Sequence, residues 1–165
     1  MTKRLFAVVS IVALAGIIVA GQQSASQAKI QGVWRLVERT TTGPGAYTTK
    51  TPQPVMWVFT PKYFSQIRID SNKPLADLAD AAKATADELR AAWGPFTASA
   101  GTYELSDGNI VTFRVEVGKS NAQMGPGNFY TWSYKLEGNT LSLTNVGGMN
   151  GPVAFPGTMK FTRVE

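Results

Sequence analysis

The stretch Ile30-Gln-Gly-Val-Trp-Arg-Leu-Val-Glu-Arg-Thr40 decides the fold of this chain. Trp34 and Leu36 stand two apart on one face of an extended chain, and Val33 and Val37 stand on the other. The stretch therefore predicts a β-strand with apolar residues on both faces. Gly32 carries no side chain just before the large indole of Trp34, which allows another element to approach the backbone closely. We therefore expect a first strand over residues 30–40 whose glycine end is packed against a second segment.

The composition excludes several kinds of catalytic and metal site. The chain has 165 residues, enough for one domain, and it contains no cysteine and no histidine. Disulfides, thiolate nucleophiles, Ser-His-Asp triads, histidine bases and Cys- or His-ligated metals are therefore impossible. Neither Gly125-Pro-Gly127 nor Gly147-Gly148 is followed by a helix, as a nucleotide-binding loop would be. We predict no metal site and no cofactor, and no residue is predicted to be catalytic.

Residues 1–28 have the pattern of a secretory signal peptide. Lys3 and Arg4 precede an apolar run over residues 5–20, and small and polar residues follow up to Ala28. An uncleaved membrane anchor is the alternative, although the run is slightly short for a membrane span. We expect a signal peptide over 1–28, a domain over 29–165, a periplasmic or secreted location, and no stable membrane insertion after cleavage.

The net charge gives no indication of a nucleic-acid partner. The whole chain carries +5, and removal of residues 1–28 leaves 14 basic against 11 acidic residues, or +3. No basic cluster with interleaved aromatic residues is present, so we predict no nucleic-acid binding.

Alternating apolar residues predict eight strands joined by connections that are long and short in turn. The strands are expected over residues 30–40, 55–60, 63–70, 96–105, 110–117, 129–136, 141–143 and 158–164. The long connections are residues 41–54, 71–93, 118–128 and 145–157. Since alternate connections of an antiparallel meander lie at opposite ends, the long ones share one end, the mouth, and the tight turns share the other, the floor. The predicted fold is an all-β, eight-stranded antiparallel up-and-down barrel, because closure removes the sheet edges.

One helix is predicted between the third and fourth of these strands. Leu75, Leu78, Leu89 and Trp93 stand at helical spacing over residues 71–93, with charged residues on the opposite side. Gly94 and the proline after it end the pattern. We expect this one-sided helix to lie on an apolar surface near the mouth.

Several segments resemble a bacterial lipocalin-like domain of the lipocalin/calycin superfamily. Gly32-Val-Trp34 near the start of the first strand resembles the lipocalin opening motif, and residues 58–61, 100–105 and 134–143 extend the resemblance over roughly residues 30–164. The resemblance implies a lipocalin-like barrel in which Arg163, late in the last strand, packs over the indole of Trp34. It implies no catalytic residues, because the family shares no catalytic motif, and it leaves the ligand open.

The faces of the strands suggest a lumen that holds a ligand. Apolar and aromatic rows alternate with charged residues such as Arg114, Glu116 and Lys135, so the aromatic rows are expected to face the barrel axis. We predict an exported protein that binds a small hydrophobic molecule, with the loop 41–54 and the helix gating the mouth. The predicted ligand-binding residues are Trp57, Tyr103, Phe113, Trp132 and Tyr134.

Two other functions remain open from the sequence. The barrel could enclose an isomerase or cyclase that uses Glu38, Glu104 or Arg68 as acid–base groups, provided that one of them points inward. A carboxylate facing an apolar lumen would have a raised pKa, which would distinguish this case. Alternatively, the barrel could be filled by its own side chains and act on another protein through its loops. The oligomeric state is unknown.

Overall fold

The computed structural model describes residues 29–165, so the predicted signal peptide over residues 1–28 lies outside the described residues. The strands are β1 (Gly32–Thr40), β2 (Thr48–Thr49), β3 (Val55–Phe59), β4 (Tyr63–Ile69), β5 (Phe96–Ser106), β6 (Ile110–Gly118), β7 (Tyr130–Glu137), β8 (Thr140–Gly148), β9 (Gly151–Pro152) and β10 (Thr158–Arg163). One α-helix, α1 (Ala86–Trp93), lies between β4 and β5, and a short 3-10 turn spans Asn121–Gln123.

Eight long strands close into an antiparallel barrel. Each long strand pairs with the next along the chain, and β10 pairs with both β8 and β1, which completes the ring. The two-residue strands add little: β2 pairs with β1, and β9 pairs with β8. The prediction of a closed eight-stranded antiparallel barrel is confirmed. The connections 41–54, 70–95, 119–129 and 149–157 lie at the mouth, and the three tight turns lie at the floor.

The helix is shorter than the sequence pattern predicts. It begins after Thr85 rather than after Ser71, and it has 8 residues. Glu88 Oε2 accepts a hydrogen bond from the Thr85 backbone N–H at 2.7 Å, and Thr85 Oγ1 accepts one from the Glu88 backbone N–H at 3.3 Å. This reciprocal capping box fixes the start of the helix. Leu75 and Leu78 are only half-buried, so no apolar surface stabilises an earlier turn.

The end of α1 is held to the rest of the barrel by a lysine. Lys119 Nζ, just beyond β6, donates hydrogen bonds to the carbonyl oxygens of Trp93, Gly94 and Phe96 at 2.5, 2.8 and 2.6 Å. A cation at a helix C-terminus is favourable because it neutralises the unpaired carbonyls. Among residues 29–165, no helix has the length and hydrophobicity needed to cross a membrane.

Strand β8 is longer than predicted. The sequence predicts a strand over residues 141–143 and a loop from Asn145, whereas β8 continues to Gly148 and pairs with β7 throughout. Glycines, which usually indicate a loop, are required here by close packing. A Cβ atom at Gly148 would lie 2.6 Å from the carbonyl oxygen of Phe129. The prediction of a loop at the start of this segment is therefore wrong.

The floor is built around the indole of Trp34. This residue is fully buried, and its Nε1 donates a hydrogen bond to the Ile30 carbonyl at 2.8 Å. Arg163, which pairs with Trp34 across β1 and β10, places its guanidinium carbon 4.2 Å from the centre of the indole ring. The predicted cation–π contact between Arg163 and Trp34 is therefore present.

A β-bulge in β1 changes which residues face the lumen. The pairing with β10 shifts between Leu36 and Glu38, so that Glu38 pairs with Lys160 and Arg39 pairs with Met159. Without the shift, strict alternation from Trp34 would turn Glu38 inward. The bulge instead places Arg39 at the mouth end of the lumen.

A second bulge, between β5 and β6, ends the inward row of β6 early. Gly101 pairs with Val115, whereas its neighbour Ala100 pairs with Val117. Val115 therefore faces the lumen, but Val117 faces outward with 67% of its surface exposed, contrary to strict alternation. Gly101 allows the bulge, because a Cβ atom there would collide with the Arg114 carbonyl.

Candidate functional site: the mouth cavity

The two halves of the barrel are packed differently. The floor half is filled by buried side chains, among them Ile30, Trp34, Leu36, Phe59, Tyr103, Leu105, Leu141 and Phe161. The mouth half holds a cavity of about 490 Å³, here called the mouth cavity. This volume falls within the range of about 300–1,000 Å³ that is typical of small-molecule sites.

Aromatic rings form the base of the mouth cavity. Trp57, from β3, is the central ring, and its centre lies 5.1 Å from that of Phe113 and 6.1 Å from that of Trp132. Phe64, from β4, contacts Phe113 with ring centres 4.8 Å apart. Three of these pairs are edge-to-face, the arrangement that aromatic quadrupoles favour. The packed rings give the cavity a rigid apolar base.

The walls above this base differ in polarity. On one side β1, β4, the residue just after β4, and β5 contribute polar side chains: Arg39, Gln66, Arg68, Asp70 and Ser99. On the other side lie the apolar side chains of Phe113, Val115, Trp132, Val153, Phe155 and Met159, together with the uncharged polar ones of Gln123, Tyr130, Asn145 and Thr158. The charged side chains of the lining, those of Arg39, Arg68 and Asp70, are all on the first side. The cavity is therefore amphipathic across its width, with a polar wall and an apolar wall.

Two arginines on the polar wall share one carboxylate. Arg39 Nη2 donates a hydrogen bond to Asp70 Oδ1 at 3.0 Å, and Arg68 Nε lies 2.8 Å from Asp70 Oδ2. All three side chains are about three-quarters buried. The Arg68 Nε–H is at ion-pair distance but is not directed at the oxygen, so it forms no hydrogen bond within residues 29–165.

Other polar atoms of the cavity also lack partners. Trp57 Nε1, Gln66 Oε1 and Gln123 Oε1 are buried and accept or donate no hydrogen bond to any atom of the described residues. The Gln66 amide nitrogen does donate, to Ser99 Oγ at 2.8 Å. Buried polar groups are normally paired, so unpaired ones on a cavity wall indicate where a ligand or water would bind.

The structure brings three of the five predicted ligand-binding residues to the cavity. Trp57, Phe113 and Trp132 line it, whereas Tyr103 and Tyr134 do not. Both tyrosines lie nearer the floor on their strands, where Tyr103 is 3% exposed and donates its hydroxyl hydrogen to the Thr60 carbonyl at 2.8 Å. Alternation predicts the face of each residue correctly, but it does not give the height at which the packed floor ends.

The helix does not line the cavity, contrary to the expectation that it gates the mouth. The loop 41–54 contributes only its first residue, Thr41, and the connection 149–157 contributes Val153, Phe155 and Gly157. These two connections contact each other, because Thr42 Oγ1 donates a hydrogen bond to the Pro156 carbonyl at 2.8 Å. The mouth is thus lined chiefly by the connection that precedes β10, and the connection 119–129 adds Gln123.

The three proposed acid–base groups lie in different places. Glu104 is exposed on the outside of β5, and Glu38 is turned outward by the bulge in β1. Arg68 faces the lumen. Gln66 and Asp70 also line the cavity, and neither is among the residues predicted to line the lumen. Their alternation with Ile67 is visible in the sequence, but Ile67 faces outward and is 53% exposed, which hydrophobicity alone would not indicate.

No group of three or more Asp or Glu side chains that could hold a metal ion occurs within residues 29–165. The mouth cavity contributes a single carboxylate, that of Asp70. Carboxylate oxygens are the ligands that hard cations prefer, and an isolated carboxylate between two guanidinium groups is a poor cation site.

Comparisons with known proteins add the following. No protein-family model matches the sequence, and no curated protein matches it. Among solved structures, the chain is similar to a redesigned β-barrel, with 12% sequence identity, coverage of 87% of this chain and 96% of that chain, and a TM-score of 0.42. A likeness of this size carries no argument about function. The resemblance to lipocalins is therefore not confirmed by any comparison.

Proposed function

We propose that this chain is an exported, lipocalin-like barrel protein that binds a small hydrophobic molecule in its mouth cavity. One observation carries the proposal: the cavity of about 490 Å³ has a base of packed aromatic rings and a polar wall beside it. Ligand sites are commonly concave, mostly apolar and supplied with a few polar groups. The signal-like residues 1–28 support export, and the contact of Arg163 with Trp34 supports the lipocalin-like character.

The expected affinity is moderate. A ligand that buries about 250 Å² of apolar surface would gain about 6 kcal/mol before the cost of association is subtracted. The rigid aromatic base reduces the ordering cost, because its side chains are already fixed. We therefore expect dissociation constants in the micromolar range for simple apolar molecules.

A fluorescence titration with the neutral dye N-phenyl-1-naphthylamine tests the proposal. The dye emits strongly only in an apolar environment, and we expect saturable binding of one molecule per chain. Val115→Trp places an indole in the mouth cavity, so we expect it to weaken binding about tenfold or more by steric exclusion.

Val117→Trp is the matched control. It introduces the same residue on the same strand, but the bulge in β6 directs it outward, where the native side chain is 67% exposed. We expect its affinity for the dye to equal that of the wild type. The proposal is wrong if the wild type shows no saturable binding, or if the two variants, both confirmed as folded by near-ultraviolet circular dichroism, bind equally well.

The enzyme alternative is less well supported by the geometry. Of the three candidate groups only Arg68 faces the cavity, and neither glutamate does. The carboxylate that does face the cavity, Asp70, has both oxygens engaged by arginines. The binding function needs no further group, whereas acid–base catalysis needs a second one in reach of the substrate.

A further inference from the structure

The polar wall of the mouth cavity carries more positive than negative charge. Its charged side chains are Arg39, Arg68 and Asp70, so two guanidinium groups share one carboxylate and one positive charge is left over. These side chains are largely buried, so water and salt screen the surplus charge only in part. An anion entering the cavity would meet an attractive potential, and a cation a repulsive one.

The unpaired donors point to the same conclusion. Trp57 is 1% exposed, and its Nε1–H, which can only donate, has no acceptor within residues 29–165. Arg68 Nε lies at ion-pair distance, 2.8 Å, from Asp70 Oδ2 but makes no hydrogen bond within residues 29–165, and the guanidinium has further N–H groups that can donate to a ligand.

The unpaired amide of Gln123 can rotate to present either its oxygen or its NH2 group. Gln66 Oε1 is a second unpaired acceptor, and the same rotation of its amide turns the NH2 group toward the cavity while the oxygen accepts from the Ser99 hydroxyl. With both amides turned in this way, the unpaired groups of the cavity are all donors and need oxygen acceptors.

The positions of these groups define an orientation. Trp57 pairs with Gln66 across β3 and β4, and Arg68 lies two residues further toward the mouth on the same wall. The opposite wall, from Phe113 to Met159, is mainly apolar. A ligand that satisfies both walls has oxygen atoms along one side of its head and a hydrocarbon body.

We infer that the ligand of the mouth cavity is an amphiphilic carboxylic acid, bound as its carboxylate. Its oxygens face Arg68 and the indole N–H of Trp57, and its hydrocarbon part lies against the apolar wall. Charge-assisted hydrogen bonds to guanidinium are stronger than neutral ones, so the carboxylate contributes selectivity in addition to apolar burial. This inference rests on the proposed function and specifies its ligand class.

Displacement of bound N-phenyl-1-naphthylamine by two matched competitors tests the inference. Dodecanoate and 1-dodecanol have the same chain length and differ in the head group. We expect dodecanoate to displace the dye at about a tenfold lower concentration, the factor that one net charge-assisted hydrogen bond supplies. In Arg68→Met the preference should disappear while the dye itself still binds.

Arg35→Met is the matched control, because it removes the same charge from an exposed position on the outside of β1. It should retain the preference for dodecanoate. Arg39→Met, which removes the other cation of the polar wall, should also reduce the preference. It takes the place of Arg68→Met if that variant is poorly folded.

The outcomes separate the two claims. Equal displacement by dodecanoate and dodecanol in the wild type overturns the carboxylate inference and leaves the proposed function intact. Persistence of the preference in Arg68→Met and Arg39→Met also overturns it. Failure of the dye to bind the wild type overturns the proposed function and the inference together.

Discussion

At the scale of single residues, Gly32 shows how one position can fix the floor. Its φ of +126° is one that other residues rarely adopt, and a Cβ atom there would collide with the Glu165 carbonyl and approach Arg163 Nη1 at 2.6 Å. The C-terminal segment therefore closes the barrel over a residue that has no side chain. Val33 N–H donates to the same Glu165 carbonyl at 3.1 Å, which brings the two chain segments together.

Gly32→Ala should destabilise the barrel by at least about 1–3 kcal/mol, the usual cost of a strained backbone conformation, with the collision added. Urea unfolding measures the loss of free energy. Gly108→Ala is the control, because Gly108 has φ +75° but no atom within 4 Å of the added Cβ. Equal losses in the two variants would contradict the role given to close approach at Gly32.

Residue types in the sequence predict part of the site and miss another part for a physical reason. Trp57, Phe113 and Trp132 are predictable because large aromatic residues at alternate positions of a strand are buried on its inward face by the hydrophobic effect. Asp70 and Arg39 are not predicted, because each is stabilised in the lumen by the other and the two are 31 residues apart in sequence. Only the three-dimensional pairing reveals that their charges are matched.

At the scale of elements, α1 is defined by its capping box rather than by an apolar face. Ala92 is its one buried residue, and Trp93 is 58% exposed. Hydrogen bonds from the Thr85 backbone N–H and, secondly, from the Thr85 hydroxyl hold the pKa of Glu88 below its ordinary value of 4.5. The capping box therefore stabilises the start of the helix through hydrogen bonds to the ionised Glu88 carboxylate.

This lowered pKa predicts how the helix responds to acid. Because the pKa of Glu88 is lower in the folded state, its contribution to stability is present above pH 4.5 and is lost as the pH falls through the lowered value. NMR titration of the Glu88 carboxyl carbon should give a midpoint below 4.5. In Thr85→Ala the midpoint should rise part of the way back, since the backbone donor remains. A midpoint that is the same in both proteins would contradict the capping box.

The elements also show where sequence patterns lose information. Most of the eight long strands are predictable because period-two alternation runs over much of their length, and β3 is predictable because its five residues are all apolar. The bulges are not predictable, since a bulge reverses the inward face without any change in composition. Besides the two described above, a third register shift lies between β7 and β8. The reversal at Leu36 and Glu38 places an arginine in the lumen where alternation would place a glutamate. The sequence pattern also overestimates the length of α1, because leucines at helical spacing form a helix only where the barrel offers an apolar surface against which they can pack.

At the scale of the whole molecule, the barrel divides into a packed floor and an open mouth. The alternation of short and long connections predicts this division, because antiparallel pairing collects the long connections at one end. The floor fixes the strands through Trp34 and the residues around it, so the mouth cavity can remain unfilled without loss of the fold. The division explains why Tyr103 and Tyr134 stabilise the barrel and do not contact the cavity.

The four tryptophans provide the most direct test of a ligand in the mouth cavity, because they sample different parts of the molecule. Trp57 and Trp132 line the cavity, Trp34 is sealed in the floor, and Trp93 is exposed on α1. The measurement is an NMR titration of the four indole N–H signals with dodecanoate. We predict saturable shifts of Trp57 and Trp132, the largest at the unpaired Trp57 N–H, and an unchanged Trp34. A shift confined to Trp93, or signals of Trp57 and Trp132 that stay in place up to saturating dodecanoate, would contradict the account.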